Sequence, residues 1–375
     1  MAEAYNSRIN FKEIVFANSP QYLSLEHLPD GAVGKANSIS AEVYVWVGDK
    51  GSVPGSPTYT LNQKASTITA GFDNTFAVFE VAGYIKEVIE QIPVSSNYNT
   101  KAAVWFKIKA IADTSATYYD SGVFLATLGY GDYTAGANPG VATAADLSKV
   151  MFGVPERFKT TSNIGNRYSF YIGEDSNLVS VEKVGETALT PTVGSTLSNR
   201  QFFSIDNPTL NPVGDESGVV KLVYNTSAIK NYYFESYSMK NQGVEVVYFD
   251  RYGVQVSMQF MGRADDSFTL KRKTYTNILV NRTTIYDPSE HNKKTFNIQR
   301  QKSVTVNTGL IESGQVEQLK DILNSYKVWF INSDGDFIPV SVKDTNFNPK
   351  SDIYDKLHDY TFNFEVANPD INQVT

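Results

Sequence analysis

Apolar side chains recur at every second residue over several stretches of this sequence, and this period constrains the fold more than any other feature. Residues 40–50 (SAEVYVWVGDK) place Ala41, Val43, Val45 and Val47 on one face and Glu42, Tyr44 and Trp46 on the other. Residues 101–112 and 359–367 repeat the pattern, with Val104, Phe106, Ile108 and Ala110 in the first and Tyr360, Phe362, Phe364 and Val366 in the second. A β-strand that is buried on one face has this period. The pattern therefore predicts a mainly β protein of half-buried antiparallel strands.

Two β-hairpins are predicted in the carboxy-terminal part of the chain. Residues 244–260 (VEVVYFDRYGVQVSMQF) alternate on both sides of the turn 250–253, where Gly253 is free to take a positive φ. The second strand would set Val254, Val256, Met258 and Phe260 on one face and Gln255, Ser257 and Gln259 on the other. We predict that one face lies on a core and that the other is wet or meets a neighbour. The second hairpin would turn at Asp334-Gly335, between two apolar runs.

Two short helices are predicted from apolar residues spaced three and four apart. Residues 83–93 carry Ile85, Val88, Ile89 and Ile92, and Pro93 ends the pattern. Residues 313–325 carry Val316, Leu319, Ile322 and Leu323, with Ser313 as the expected N-cap. Because each helix lies beside strand patterns, we expect it to pack over an end or an open face of a sandwich.

The chain of 375 residues exceeds what one typical hydrophobic core needs, so more than one domain is expected. We predict an N-terminal β-sandwich domain over residues 1–150 and a C-terminal β-rich domain with one short helix over residues 219–375. Between them, residues 151–218 are loosely patterned, with clusters of Pro and Gly and short strands such as 167–174 and 177–184. The predicted fold class is two antiparallel β-sandwich-like domains with a few short helices and long loops.

Composition and charge exclude several classes of protein. The sequence has no cysteine, so it can form neither a disulfide framework nor a thiolate metal site. Its formal net charge of −7 argues against bulk attraction to nucleic acid or to an anionic membrane. It has no signal-peptide pattern and no apolar run near the roughly 20 residues of a membrane helix. We expect a soluble protein made in the cytoplasm, in which the sequons at Asn225 and Asn281 are chance matches.

Residues of the types used in catalysis are present, but their spacing matches no catalytic motif. His27, His291 and His358 are far apart and lie in no HExxH or HxH pattern, and no GxSxG accompanies them. The clustered carboxylates are Asp265, Asp266, Asp334, Asp336, Asp352, Asp355 and Asp359. Their local pairing on turns supplies neither the cleft of a glycosidase nor the ligand series of a calcium loop.

The glycine-rich stretch 129–140 does not match a phosphate-binding loop. After Gly129 and Gly131, the third glycine position of a GxGxxG motif holds Thr134, and no Lys-Ser/Thr pair or helix pattern follows. A structured surface loop is the better interpretation. We therefore predict no catalytic, cofactor-binding or metal-ligating residue and no cofactor.

The most informative charge feature is the stretch 271–302. Its eight basic residues, against Asp287 and Glu290, are Lys271, Arg272, Lys273, Arg282, Lys293, Lys294, Arg300 and Lys302. They could be solvated strand faces, a lining that faces passing DNA, or a basic seam that docks on an acidic protein surface such as a neighbouring copy of this chain. We favour the protein seam over DNA because the whole chain is negative.

The order of several segments resembles that of virion structural proteins of tailed bacteriophages infecting Bacteroidetes, including crAss-like phages, and in particular their tail or neck ring components. The segments in the first half are IVFANSPQYLSLE, AEVYVWVGDK, PTYTL, FEVAGYIKEVIE and FLATLGYGDYTAGANPG. Those in the second half are VEVVYFDRYGVQVSMQF, QVEQLKDILNSYKVWF, DGDFIPVSVKDTNF and YDKLHDYTFNFEVANPD. The resemblance covers roughly 1–140 and 219–370. It implies β-sandwich modules, symmetric rings around the DNA channel and no enzymatic activity, and it carries over no single functional residue.

The predicted function is therefore a non-enzymatic virion component that forms a ring in the tail or neck and assembles in the host cytoplasm. The expected partners are copies of itself and other tail, neck or portal-associated proteins, with non-specific proximity to DNA in the channel and no membrane. The alternative is a carbohydrate- or receptor-binding β-sandwich in which Trp46 and Trp105 stack on sugars. A glycan-degrading enzyme, which needs two carboxylates in a cleft, is a third hypothesis.

Overall fold

The computed structural model describes residues 4–7, 10–29, 34–67, 74–92, 103–132, 134, 136–142, 151–152, 157–160, 167–172, 178–183, 201–206, 218–224, 227–236, 243–277, 291–332, 334–344, 346–348, 357–368 and 370–373. For residues 151–230, 234–236, 313, 357 and 370–373 only the backbone is described. The fold is mainly β, with several antiparallel sheets and few helices, as the two-residue period predicts.

The first part of the chain forms two sheets. One has four strands in the order β1-β3-β7-β6, and the other has six in the order β10-β2-β9-β8-β4-β5. Neighbouring strands are antiparallel except for β2 and β9, which run parallel. The strands are β1 Ala4–Ser7, β2 Ile14–Phe16, β3 Tyr22–Leu28, β4 Ser38–Trp46, β5 Tyr59–Lys64, β6 Ser66–Thr67, β7 Thr75–Glu80, β8 Ala103–Ala112, β9 Tyr119–Thr127 and β10 Gly140–Val141.

The alternation predicted for these strands decides which side chains are buried. Ala41, Val43 and Val45 of β4 lie in one buried cluster, while Val47 beyond the strand end is exposed. The same cluster takes in alternate residues of both sheets, so it joins them into a sandwich. Its largest contributions come from Leu23, Leu25, Phe79, Val104, Phe106 and Ile108.

The middle of the chain adds two smaller sheets. One has the order β11-β13-β15 and the other β12-β17-β16-β14, in which β12 and β17 run parallel. The second sheet joins strands on both sides of residue 218, the boundary predicted from sequence, and the division into domains stays a prediction. The strands are β11 Met151–Phe152, β12 Arg157–Thr160, β13 Arg167–Ile172, β14 Leu178–Lys183, β15 Gln201–Asp206, β16 Gly218–Tyr224 and β17 Ser227–Ser236.

The last part of the chain builds one eight-stranded antiparallel sheet in the order β19-β18-β23-β24-β26-β21-β20, with β27 also paired to β21. Strands β22 and β25 form a separate two-stranded antiparallel sheet. The strands are β18 Val244–Phe249, β19 Gln255–Phe260, β20 Ala264–Thr276, β21 Lys293–Asn307, β22 Ile311–Glu312, β23 Val328–Ile331, β24 Phe337–Val342, β25 Leu357–His358, β26 Thr361–Val366 and β27 Asp370–Gln373.

Both predicted helices are present, and each has nine residues. Helix α1 spans Ala82–Glu90 and buries Ile85 and Ile89 against the first sandwich. Helix α2 spans Val316–Asn324 and follows a 3₁₀ turn over Ser313–Gln315. The predicted N-cap at Ser313 is wrong, because the intervening 3₁₀ turn moves the N-cap position to Gln315.

The hairpin predicted at residues 328–340 is confirmed by the pairing of β23 with β24. Gly335 has a φ of 85°, and its N–H donates to the Asn332 carbonyl over 3.1 Å. The Asn332 side chain also accepts the N–H groups of Asp334 and Asp336, at 3.0 and 2.8 Å. These two carboxylates are thus turn residues, which agrees with the sequence interpretation.

The hairpin of β18 and β19 is also confirmed, but it is buried on both faces rather than on one. Gly253 in its turn has a φ of 76°, as predicted. The expectation of a wet second face is wrong for the strand itself, because every residue of β19 is buried and β19 lies against β13. The three polar side chains that indicated a wet face are Gln255, Ser257 and Gln259, and all are buried.

The six-stranded sheet and the eight-stranded sheet share buried clusters. Tyr44, Trp46 and Trp105 belong to the cluster that also holds Tyr248 and Phe260. Conversely, Val247, Phe249 and Trp329 belong to the cluster that fills the first sandwich. Residues more than 200 positions apart in sequence therefore form common cores.

Candidate interaction surface and the junction

The most exposed regular structure in the described part of the chain is the hairpin of β20 and β21. Its two strands pair from Ala264↔Val306 to Thr276↔Lys293, with one irregularity after Lys273. All thirteen residues of β20 are exposed, and β20 is the last strand of its sheet. We call residues 264–276 and 293–302 the arm. An edge strand of this length presents a row of unpaired backbone groups to another chain.

The arm carries large apolar side chains in water. Phe268 and Leu270 are 52% and 50% exposed, and Tyr275 and Phe296 are 49% and 44% exposed. Directly opposed residues share a face, so Phe268 and Leu270 lie on the same side of the sheet as the buried Val304. This face of the arm therefore carries exposed apolar side chains interspersed with the charged residues Asp266, Arg300 and Lys302.

The arm is also strongly basic. Its seven lysines and arginines face only two aspartates, Asp265 and Asp266. Lys302 pairs with Asp266 at 2.6 Å near the base, and the Arg300 guanidinium lies 5.0 Å from the centre of the Phe268 ring. Among the side chains that the structure describes, no carboxylate pairs with Lys271, Arg272 or Lys273. The basic stretch predicted from sequence thus lies on the arm, except for residues 278–290, which lie outside the described residues.

The structure does not bring the three histidines together. His27 is buried on β3 with its ring 5.2 Å from that of Tyr5, and His358 is buried on β25. His291 is exposed at the start of the second strand of the arm. In the described ranges no three His, Asp or Glu side chains lie close enough to hold a metal ion.

The clustered carboxylates are separated as well. Asp265 accepts a bond from Arg263 at 2.7 Å, while Asp266 pairs with Lys302. Because Asp265 and Asp266 are adjacent on one strand, they point to opposite faces of the arm. Asp359 is exposed, and Asp352 and Asp355 lie outside the described residues, as do both sequons.

Trp46 and Trp105, the candidates for stacking on sugars, are buried. Both lie in the cluster shared with the eight-stranded sheet. Their indole N–H groups are used internally: Trp46 donates to the Asp49 carbonyl over 2.8 Å and Trp105 to the Gly48 carbonyl over 2.9 Å. The expectation that these residues face outward is wrong, because the carboxy-terminal sheet covers this end of their face.

The glycine-rich loop proves to be a packing element and its first glycine is buried. A Cβ on Gly129 would lie 2.5 Å from the Phe16 ring and 2.9 Å from the Arg251 carbonyl oxygen. The loop is joined to the hairpin turn by two hydrogen bonds, from Thr127 Oγ1 to the Tyr252 carbonyl (2.6 Å) and from the Tyr130 N–H to the Arg251 carbonyl (2.9 Å). We call residues 127–130, the turn 250–253 and Asp321 of α2 the junction.

The junction holds two carboxyl groups, of which Asp250 is buried and Asp321 is half-buried. Asp250 accepts the N–H groups of Tyr252 and Val254 on one oxygen, each at 2.9 Å. Asp321 accepts the Tyr130 hydroxyl at 2.7 Å. No sequence motif marks this group, because its members come from three separate segments; the one signal is the Asp that opens the turn.

Burial and mutual repulsion shift the acidity of these groups. Burial raises the pKa of Asp250 to about 8, its two N–H bonds oppose this, and the nearby Asp321 raises it further. Burial also raises the pKa of Asp321, and its bond from Tyr130 acts in the opposite direction. Burial first, then the bond to Asp321, raises the pKa of the Tyr130 phenol.

Replacing Tyr130 with phenylalanine should destabilise the protein by about 1–3 kcal/mol, because it leaves the half-buried Asp321 carboxyl without its hydroxyl donor. The matched control is Tyr59→Phe, which removes a hydroxyl bond of 3.0 Å to the exposed Glu87 and should cost at most about 0.5 kcal/mol. Urea unfolding followed by fluorescence would measure both. Equal losses for the two variants would contradict the role given to the junction.

No family model matches this chain, and the search of curated proteins likewise found no match. Neither described α-helix, at nine residues, could cross a bilayer. The arm, with its exposed edge, apolar side chains and positive charge, is the surface that the geometry marks for contact with another macromolecule.

Proposed function

We propose that this protein is a non-enzymatic structural component of a tailed-phage virion that forms a symmetric ring in the tail or neck through protein–protein contacts. The observation that carries the proposal is the arm. An edge strand of thirteen exposed residues, among them the half-exposed Phe268 and Leu270, is an aggregation hazard in a free monomer. In an assembly the same strand becomes a buried contact.

The shape of the contact favours a ring. The arm is one projecting element on each chain, and it differs from the surface that it would meet. Contacts between two different surfaces repeat from copy to copy and close into a ring when the rotation allows it. The resemblance to phage tail and neck components supports the same conclusion, and it suggests tail, neck or portal-associated proteins as further partners.

The sugar-binding and glycan-degrading hypotheses have less support, because the residues that they would use are engaged inside the protein. A sugar-binding surface would need other aromatic residues than Trp46 and Trp105, which are internal. A glycan-degrading enzyme would need a carboxylate pair in a cleft. The junction pair, Asp250 and Asp321, is instead engaged by backbone and tyrosine donors in a packed interface.

Light scattering and negative-stain electron microscopy of the purified protein would test the proposal. The expected result is a closed homo-oligomer of one defined size, and the chain should be present in purified particles. A chain that is monomeric at every concentration and absent from particles would overturn the proposal.

Replacing Phe268 and Leu270 together with serine should weaken assembly roughly 30- to 100-fold, because two half-exposed apolar side chains would no longer be buried on association. Leu310→Ser is the matched control, since Leu310 is 56% exposed but lies away from the arm. The dissociation constants would come from concentration-dependent mass photometry. If the control weakened assembly as much as the double variant, the arm would not be the contact.

A further inference from the structure

We propose that the arm of one copy docks on an acidic and aromatic surface of a second copy, formed by the outer side of α1 and the start of β5. This inference rests on the proposed ring-forming function and names the surface that the arm meets. We call Tyr59, Tyr84, Glu87 and Glu90 the acceptor surface.

Three of these four side chains are exposed, and Tyr59 is half-buried against the core of the first sandwich. Helix α1 buries Ile85 and Ile89 and leaves Tyr84, Glu87 and Glu90 exposed. The rings of Tyr59 and Tyr84 lie 5.1 Å apart, and the Tyr59 hydroxyl donates to Glu87 over 3.0 Å. A strand residue and a helix residue thus meet, with their rings tilted by 51°, to form an aromatic patch beside two carboxylates.

The charge of the acceptor surface is opposite to that of the arm. Residues 80–90 carry three glutamates and one lysine. Lys86 lies 3.8 Å from Glu90 with each side chain 37% exposed, so this ion pair offsets only part of the negative charge. Glu80 is committed to the start of the helix, where it accepts the Ala82 N–H over 3.0 Å. Glu87 and Glu90 remain available to cations from outside.

The side chains of the arm complement the acceptor surface both in the sign of their charge and in their chemical type. Arg272 lies on the same face of the arm as Phe268 and Leu270, whereas Lys271 and Lys273 lie on the opposite face, and the acceptor surface offers two carboxylates near two tyrosine rings. Arginine and lysine also bind favourably over tyrosine rings, which adds a second attraction. A negatively charged polymer such as DNA would be attracted to the arm but repelled by the acceptor surface, so only a protein contact uses both.

The choice of a second copy follows from the charge of the chain. Each copy carries a basic arm and an acidic acceptor surface on one molecule whose net charge is −7. A contact between two copies joins the arm of one copy to the acceptor surface of the next. Every protomer can therefore contribute both surfaces. Such a head-to-tail contact is the heterologous kind from which rings are built.

Charge reversal on each side gives a sharp test with the full-length chain. The arm-reversed variant is K271E/R272E/K273E, and the acceptor-reversed variant is E87K/E90K. Each alone should weaken assembly at least about 10-fold, since like charges would face each other across the contact. The two sets combined on one chain should restore assembly to within about 3-fold of the natural protein. An equal mixture of the two single-side variants should also assemble.

Controls separate this inference from the proposed function. E317K reverses an exposed glutamate on α2 and should leave assembly unchanged, and the thermal unfolding of all variants should match that of the natural chain. If the natural chain forms rings but the combined variant fails to restore them, the acceptor surface is wrong while the ring proposal stands. If the natural chain never assembles, the proposed function fails first. If the arm-reversed variant still assembles but loses binding to a DNA duplex, the arm serves DNA and the docking proposal is overturned.

Discussion

Gly253→Val should prevent folding or cost more than about 4 kcal/mol of unfolding free energy, which makes it the most damaging change that we expect. Two causes act together. The residue has a φ of 76°, which a β-branched side chain resists. In addition, a Cβ at this position would lie 2.2 Å from the Gly129 nitrogen and 2.4 Å from the Leu128 nitrogen, which are backbone atoms that cannot rotate away.

Gly335 supplies the matched control for this prediction. Its φ of 85° is similar, but a Cβ there would meet nothing within 4 Å. Gly335→Ala should therefore cost only the backbone strain, about 1–2 kcal/mol. Gly253→Ala adds a Cβ without a branched side chain, so it isolates the effect of the close approach to the backbone. This change should cost well over 2 kcal/mol of unfolding free energy. The comparison would be made by urea or thermal unfolding, and similar losses at Gly253 and Gly335 would show that the close approach at the junction carries no weight.

Asp250→Asn should stabilise the protein at neutral and alkaline pH and flatten the dependence of its stability on pH. The pKa of Asp250 is about 8 in the folded protein against an ordinary value of 3.8. The folded state therefore holds this proton more tightly than the unfolded state. Its contribution is fully present below pH 4, falls as pH rises towards 8, and levels off above that. The total loss is on the order of a few kcal/mol.

The asparagine amide preserves the turn because its oxygen accepts the same two N–H bonds without carrying a charge. A smaller slope of the same sign should remain, because the pKa of Asp321 is raised as well. The pKa values of the Tyr130 and Tyr248 phenols are raised above the ordinary value of 10, and the pKa of the Arg251 guanidinium is raised as well, so none of these three groups changes charge in this range.

Unfolding free energies from pH 4 to pH 9 would measure the effect. Asp250→Ala is the contrasting variant: it removes the same titration but leaves two N–H groups without an acceptor, so it should be about 1–3 kcal/mol less stable than Asp250→Asn at every pH. An unchanged slope in Asp250→Asn would show that this carboxyl is already ionised in the folded protein.

Much of the local structure could be predicted because it depends on neighbours in sequence. The faces of β4, β8 and β26, the turn glycines Gly253 and Gly335, and both helices follow from period and turn chemistry. These features need no knowledge of distant residues. The predicted N-cap of α2 lies two positions before the observed one, since a 3₁₀ turn and an α-turn share the same apolar spacing at short range.

The errors arose where a distant sheet covers part of a face. On β4 and β8, Glu42 lies opposite Lys109 and Tyr44 opposite Lys107, which indicates a wet face, yet Trp46 and Trp105 at the other end are buried. The cover comes from the sheet that begins at Val244, and no local pattern records where that cover stops. The polar face of β19 was misjudged for the same reason.

The arm illustrates the opposite case. The basic residues of the arm could be predicted from the sequence. The length and the exposure of the arm could not, because they depend on which strands pair with β20 and β21. Strands β26 and β27 pair with β21, and among the described strands only β21 pairs with β20, which leaves β20 at the edge. The positive charge of the arm follows from its own residues, whereas its position at the edge of the sheet depends on strands that are distant in sequence.

The shared cores have a consequence for the order in which the chain is made. The ribosome completes β4 and β8 more than 130 residues before it begins β18, the first strand that covers Trp46 and Trp105. During that interval the nascent amino-terminal half presents two indole rings and a tyrosine ring to the crowded interior of the cell. The nascent chain therefore passes through an aggregation-prone intermediate, and the rate of translation to the later strands sets how long this intermediate lasts.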